Sequence, residues 1–226
     1  MIQQANQVEQ AIKARKSVRG FLPKAVELEI IEDILSVAAF APSGSNTQPW
    51  KVHVVTGEAR DRLATTLVNA HNSKAPQNRE YDYYPAEWRS PYTERRRAAG
   101  WGLYSLLGIE KGDRDASFRQ HARNFEFFDA PTVLIFTIDN DMGKGSWLDY
   151  GMFLQNIMIA AVAHGLATCP QAALANFPQL IRDELNIPLS ETVICGIAIG
   201  YEDPDNPANA FRTSRVTQKE FTTVHD

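Results

Sequence analysis

The stretch APSGSNTQPW, residues 41–50, separates a helical pattern from a strand pattern. Before it, residues 27–40 carry apolar side chains on one helical face. After it, residues 51–56 are typical of a strand. The two prolines, the glycine and the asparagine of the stretch stop the helix and require a loop before the strand begins. We therefore expect a loop here whose backbone N–H groups are open to a ligand.

Helical and strand patterns alternate on both sides of this loop. Further helices are predicted over residues 5–14, 58–67, 118–128, 146–168 and 177–185, and further strands over 132–138 and 192–200. The two later strands are apolar without interruption, which indicates central strands buried on both faces. The predicted helix 146–168 is apolar nearly all round, so it must be buried in the core or against a second subunit. With 226 residues and no repeat, the chain is predicted to form one domain, residues 1–226.

Residues 71–112 form a polar and aromatic segment that does not fit a plain linker. Its tyrosines and tryptophans favour an insertion with short helices and a possible role as a lid, because loops of this length are usually functional or disordered. Arginines and aromatic residues alternate in its second half, a pattern that can contact nucleic acid. Glu80, Glu87 and Glu94 lie nearby, however, and favour a solvated helix.

Composition excludes several classes of protein. The formal net charge of −4 gives no general attraction to nucleic acid or to an anionic membrane. No apolar leader opens the sequence and no apolar run is long enough to cross a bilayer, so a soluble, cytoplasmic protein is expected. Cys169 and Cys195 lack CxxC spacing and the five histidines lack ligand spacing, so no metal site is expected. The dinucleotide, P-loop, hydrolase and zinc-protease signatures are absent as well.

Two groups of anion-binding donors remain, one near each end of the chain. RKSVR, residues 15–19, brings Arg15, Ser17 and Arg19 to alternate positions of an extended segment, and FRTSR, residues 211–215, follows the last strand. Guanidinium and hydroxyl donors suit a terminal phosphate, because they form charged hydrogen bonds of fixed direction. By themselves these patterns also fit a solvated basic turn.

Taken together in this order, RKSVRGF, PSGSNTQPW and the terminal RTSR resemble the FMN-dependent nitroreductase family over nearly the whole chain. The resemblance implies an α+β fold with a central, mostly antiparallel sheet flanked by helices. It also implies an intertwined homodimer with FMN bound at the interface. The segment 71–112 is the part that cannot be aligned.

The resemblance also implies the cofactor contacts. Arg15, Ser17 and Arg215 would hold the FMN phosphate, with Lys16 and Arg212 as further candidates. Arg19 would face the pyrimidine edge of the flavin, where a fixed cation stabilises the charge that collects on reduction. Loop residues would reach the flavin of the partner subunit, and residues after the long helix would cover one flavin face. The first set is Pro42, Ser43 and Asn46, and the second is Pro170, Gln171 and Ala172.

By the same resemblance, the protein transfers hydride from NADH or NADPH to FMN and then two electrons to a nitroaromatic compound or a quinone. No catalytic side chain is required. An aromatic nitro acid is the leading substrate, because PSGSNTQPW and CPQAAL look closest to the nitrobenzoate-type bacterial members. Three alternatives stay open at this stage: a reductive dehalogenase of the iodotyrosine type, a flavin-fragmenting benzimidazole synthase and a non-catalytic flavin-binding protein. The sequence does not distinguish NADH from NADPH.

Overall fold

Four antiparallel strands form one sheet, in the order β1-β2-β4-β3. The computed structural model describes residues 2–226, with side chains from residue 6 onward. The strands are β1 (Lys51–Thr56), β2 (Thr132–Asp139), β3 (Ala167–Gln171) and β4 (Glu191–Gly200). The helices are α1 (Ile2–Ala14), α2 (Leu28–Ala38), α3 (Gly57–Asn72), α4 (Tyr92–Leu106), α5 (Arg114–Ala122), α6 (Lys144–Ala163) and α7 (Pro178–Leu185). The predicted α+β class is confirmed.

The two central strands are buried on both faces, and this explains their uninterrupted hydrophobicity. In β2, Val133 and Ile135 join one apolar cluster, whereas Leu134, Phe136 and Ile138 join another. Successive side chains of a strand point to opposite faces, so the two clusters lie on opposite sides of the sheet. Side chains of α3 and α7 belong to the first cluster, and those of α2 and α6 belong to the second.

The predicted helix 146–168 consists of two elements. The helix α6 ends at Ala163, Gly165 takes a positive φ of 70°, and the chain continues as β3 at the sheet edge. Gly165 supplies the left-handed conformation that commonly follows a helix end. Apolar periodicity alone did not separate these elements, because α6 and β3 are both buried. Pro170 fits β3, since an edge strand tolerates the missing N–H.

The predictions for the regions of α5 and α3 also differ from the structure. The predicted helix 118–128 is a shorter helix, α5, followed by a separate 3₁₀ turn at Phe127–Asp129. Phe127 and Phe128 are buried there with positive φ values, so core packing overrides the helical pattern. The helix α3 continues to Asn72, and residues 71–72 therefore belong to it.

The polar and aromatic segment contains one full helix, α4, in place of the expected short helices. The chain before α4 is held against strand β4. Glu80 lies 2.5 Å from Arg182, a residue that is 5% exposed, and also accepts a hydrogen bond from the Val193 N–H. The next residue, Tyr81, donates its hydroxyl to the Ile194 carbonyl. We call residues 78–81 the root of the segment.

Within the described residues, no helix is both long enough and apolar enough to cross a membrane. Among the same residues, no group of three or more His, Cys, Asp or Glu side chains is arranged to hold a metal ion.

Tyr150 joins α6 to the sheet through its hydroxyl. This oxygen lies 2.8 Å from the Lys51 carbonyl and 2.9 Å from the Thr137 carbonyl, and it accepts a hydrogen bond from the Lys51 N–H. We predict that Tyr150→Phe lowers the free energy of unfolding by about 1–3 kcal/mol, because buried polar groups lose their partner. Urea unfolding measures this change. Tyr92→Phe, at an exposed site, is the control, and equal losses for both variants would contradict the prediction.

Candidate active site

The two donor groups predicted from the sequence meet in one cleft of about 350 Å³. The segment after α1 forms one wall, and the chain after β4 forms the other. The cleft is lined by Arg15, Lys16, Ser17, Arg19, Arg212 and Arg215, together with four other residues. Donors almost 200 positions apart in sequence therefore lie side by side, as a common phosphate ligand requires.

The guanidinium charges of Arg15, Arg19 and Arg215 in this cleft are not neutralised by the protein. Within residues 6–226, no carboxylate forms an ion pair with Arg15, Arg19 or Arg215. Burial lowers the pKa of Arg15, and the positive charges of Arg215 and Arg212 lower it further. Guanidinium groups that repel one another without a counter-ion favour an anionic ligand. The cleft therefore fits the FMN phosphate.

Lys16 and Arg212 line the cleft but have protein partners. The Lys16 ammonium lies 2.6 Å from both the Glu202 carboxylate and the Asn209 carbonyl oxygen. The Arg212 guanidinium donates to the carbonyl oxygens of Ala14 and Arg15, and so caps the end of α1. These two residues shape the cleft in this structure, and their contact with a cofactor stays a prediction.

Asn209 was not singled out in the sequence, although it holds the Arg19 segment in place. Its side chain is buried, accepts a hydrogen bond from the Arg19 N–H at 2.7 Å, and donates to the carbonyl oxygens of Gly20 and Asp203. The backbone at residue 20 also passes close to the Asn206 side chain. This requires glycine at position 20, since a Cβ there would lie 2.2 Å from that side chain. An asparagine in a polar tail carries no periodic signal, so sequence reasoning missed it.

The loop at residues 42–48 lies outside this cleft. Pro42 and Asn46 are exposed, Ser43 accepts a hydrogen bond from the Gln48 N–H, and the Gly44 N–H donates to Asp149. None of Pro42, Ser43 and Asn46 lines the cleft of its own chain. This position agrees with their predicted role toward a partner's flavin but does not test it.

Of the three residues predicted to cover a flavin face, two lie in β3. Pro170 is exposed at the edge, whereas Gln171 is buried and donates its amide N–H to the Asn124 carbonyl at 2.7 Å. Ala172 follows directly and lines a small cavity of about 90 Å³. That cavity is also lined by Tyr81, Tyr83, Tyr84 and His121.

A larger pocket of about 620 Å³ lies beside both the cleft and the small cavity, and we call it the chamber. It shares Arg19, Phe211 and Thr213 with the cleft, and Tyr84 and His121 with the small cavity. The helix α4 forms one wall, with Trp101 and Tyr104. Burial lowers the pKa of His121, with a further contribution from His71 and Arg79, so this imidazole is neutral at pH 7. Arg19 thus lies between the cleft and the aromatic chamber and lines both.

Both cysteines are unsuited to act as nucleophiles. Burial raises the pKa of Cys169 to about 11, against the opposing effect of Arg19 and Arg15. Burial raises the pKa of Cys195 to about 12. Both thiols are therefore protonated at neutral pH.

The fold and the cleft together define a member of a known family. The family model described as Nitroreductase family matches residues 12–201. The chain therefore belongs to the nitroreductase family, and the resemblance inferred from the sequence is confirmed.

Relatives in this family are similar over almost their full length. The chain is 41% identical to a 4-nitrobenzoate reductase from Pseudomonas putida over 93% of the chain and 92% of the relative. It is 42% identical to a chloronitrobenzene nitroreductase from Comamonas testosteroni, with 97% of each covered. Among solved structures, the FMN-dependent nitroreductase of Mycobacterium smegmatis in complex with NADPH superposes with a TM-score of 0.94. That match has 35% identity and covers 99% of this chain and 100% of the other.

The cleft predicts a measurable effect on cofactor affinity. We expect Arg215→Ala to weaken FMN binding by about 10- to 100-fold, because it removes a charged donor worth roughly 1.5–3 kcal/mol. Fluorescence titration of the apoprotein with FMN measures the dissociation constant. Arg62→Ala removes an exposed arginine of α3 and serves as the control. An unchanged dissociation constant for Arg215→Ala would place the phosphate elsewhere.

Proposed function

We propose that this chain is an FMN-dependent NAD(P)H oxidoreductase that reduces nitroaromatic compounds, and quinones by the same route. The observation that carries the proposal is the convergence of unneutralised guanidinium groups from both chain ends in a member of the nitroreductase family. The relatives named above are nitroreductases, which favours this function over dehalogenation, flavin fragmentation or flavin binding without catalysis.

Arg15, Ser17 and Arg215 would bind the phosphate, and Arg19 would lie at the pyrimidine edge of the flavin. When bound, FMN accepts a hydride from NAD(P)H and passes two electrons to the acceptor. The protein orients the reactants and excludes water. Arg19 supports this assignment by its position, because it lines both the phosphate cleft and the aromatic chamber. Its fixed charge would favour the reduced, anionic cofactor.

Residues 73–112 would cover the site as a lid. Tyr81, Tyr83 and Tyr84 line the small cavity beside Ala172, and Trp101 and Tyr104 of α4 line the chamber. Flat aromatic side chains offer stacking surfaces to an aromatic acceptor. The root at residues 78–81 holds one end of this cover against β4.

A homodimer is the assembly that these surfaces favour. Exposed apolar side chains occur on α2, on the turn after it and on α6; they include Val37, Phe40 at 90% exposure and Leu148 at 75%. Large apolar side chains at such exposure mark interaction surfaces when they cluster. The helix α6, predicted from its apolar surface to be buried in the core or against a second subunit, buries one side in the core and leaves Leu148 exposed. The exposed loop at residues 42–48 would then meet the partner's flavin.

NADPH is the donor to test first, since the Mycobacterium smegmatis relative is described in complex with it. The cytoplasm is the proposed location. Both cysteines are free and buried, which fits a reducing compartment.

The central experiment is anaerobic reduction of the purified, FMN-loaded protein. Addition of NADPH should bleach the flavin absorbance band, and a nitroaromatic compound should then restore it. A protein that binds FMN but is not bleached by NADPH or NADH would be a flavin-binding protein without this activity. A protein that binds no added FMN would overturn the proposal entirely.

Arg19 provides a sharper test of the mechanism. We predict that Arg19→Ala slows reduction by NADPH by roughly tenfold or more, because it removes a preorganised charge at the reacting ring. Stopped-flow absorbance at equal FMN occupancy measures the rate, and Arg19→Lys should recover part of it. If Arg19→Ala bleached at the wild-type rate, the assignment of this cation to the flavin edge would be wrong.

A further inference from the structure

The chamber beside Arg19 is strongly cationic although the chain as a whole is acidic. Its lining includes three guanidinium groups, from Arg19, Arg96 and Arg97, and no aspartate or glutamate. The whole chain carries a formal net charge of −4. A local excess of positive charge in such a chain requires a local explanation.

Part of this charge comes from Arg97, which lies on the face of α4 that lines the chamber. Arg97, Trp101 and Tyr104 stand at i, i+4 and i+7, so they share one face of the helix. All three line the chamber. The sequence pattern predicted a solvated helix here, and the structure shows that one face of it borders a cavity.

Two of the three arginines of α4, Arg96 and Arg97, are free of acidic partners within residues 6–226. No carboxylate oxygen of that range lies within 4.0 Å of Arg96 or Arg97. The Arg96 guanidinium stacks on the Trp88 ring at 4.9 Å, which restrains its orientation while its N–H donors stay available. Neighbouring Arg95 does not line the chamber. The two arginines thus have the capacity to bind an anion.

The walls of the chamber combine aromatic rings with guanidinium groups. Trp101 and Tyr104 present aromatic surfaces, and the same helix, α4, presents the guanidinium forks of Arg96 and Arg97. A guanidinium fork matches the two oxygens of a carboxylate, with charged hydrogen bonds of fixed direction. Arg19 is assigned to the flavin edge, so Arg96 and Arg97 remain for the substrate.

We propose that Arg96 and Arg97 form a carboxylate subsite, which makes aromatic nitro acids better substrates of this protein than neutral nitroarenes of the same shape. This inference rests on the proposed function and assigns its substrate class. Sequence identity does not decide the matter, because relatives at 41% and 42% identity are named for a charged and a neutral nitroarene. The chamber charge supplies the distinction.

The test compares 4-nitrobenzoate with 4-nitrobenzamide, which differs by a neutral amide in place of the carboxylate. The measured quantity is kcat/KM for the acid divided by kcat/KM for the amide, at saturating NADPH and without oxygen. We expect Arg97→Ala to lower this ratio about tenfold, mainly through KM for the acid. The double variant Arg96→Ala, Arg97→Ala should lower it further, and Arg97→Lys should lower it less.

Two controls separate this effect from general ones. Arg119→Ala removes an exposed arginine of the neighbouring helix α5 that does not line the chamber, so its ratio should match the wild type. Calorimetric titration of the FMN-loaded protein with benzoate and benzamide gives a second measurement that needs no turnover. Arg97→Ala should weaken binding of benzoate and leave benzamide unchanged.

Several outcomes would overturn the subsite. Equal losses for acid and amide would indicate a structural role for the arginines. A raised KM for NADPH with an unchanged ratio would assign the charge to a phosphate of the donor. If the wild type is bleached by NADPH but reduces neither nitro compound, the proposed function fails; if it reduces both with a ratio insensitive to Arg97, only the subsite fails.

Discussion

The RKSVR segment and the residues directly after it are tied to the chain that follows β4, and the whole cleft depends on this tie. Leu22 donates its N–H to the Tyr201 carbonyl at 2.9 Å, and Asp203 donates to the Gly20 carbonyl at 3.0 Å. The Lys16–Glu202 ion pair and the buried Asn209 amide reinforce it. Because β4 is a central strand, its end is fixed by the core. The contacts above therefore hold the backbone that carries the guanidinium groups in a fixed position. Binding sites built from mobile tails gain precision only when such a scaffold holds them.

The sequence predicted those parts of the fold in which local pattern and tertiary environment agree. Strand β1 was predicted to the residue, and β2 and β4 to within one residue at each end. The sequence did not predict β3. An apolar edge strand that directly follows an apolar helix changes neither the composition nor the degree of burial along the chain. The sequence also missed the 3₁₀ turn at Phe127–Asp129, where packing imposes backbone angles that the pattern does not encode.

The site residues likewise fall into those that the sequence predicted and those that it did not. Arg15, Ser17 and Arg215 were found from residue type and resemblance, and the structure brings them to one cleft. Asn209 and the lining face of α4 were not found, since each depends on which distant element lies opposite. Lys16 illustrates the limit most clearly. A lysine in a segment predicted to bind phosphate is a reasonable donor by type. Its ammonium here pairs with Glu202, a residue that the sequence gives no reason to place beside it.

The position of α4 has a consequence for how this protein can change over time. Only Leu103 of this helix is buried, whereas Arg97, Trp101 and Tyr104 border the chamber. With an acceptor in the chamber, as proposed, substitutions on that face would alter the surroundings of the acceptor without changing the residues of the sheet, the cleft or the root. Stability and substrate range would then be carried by different residues. A lineage can exchange one set while it retains the other, and the same separation makes α4 a suitable region for directed alteration of specificity.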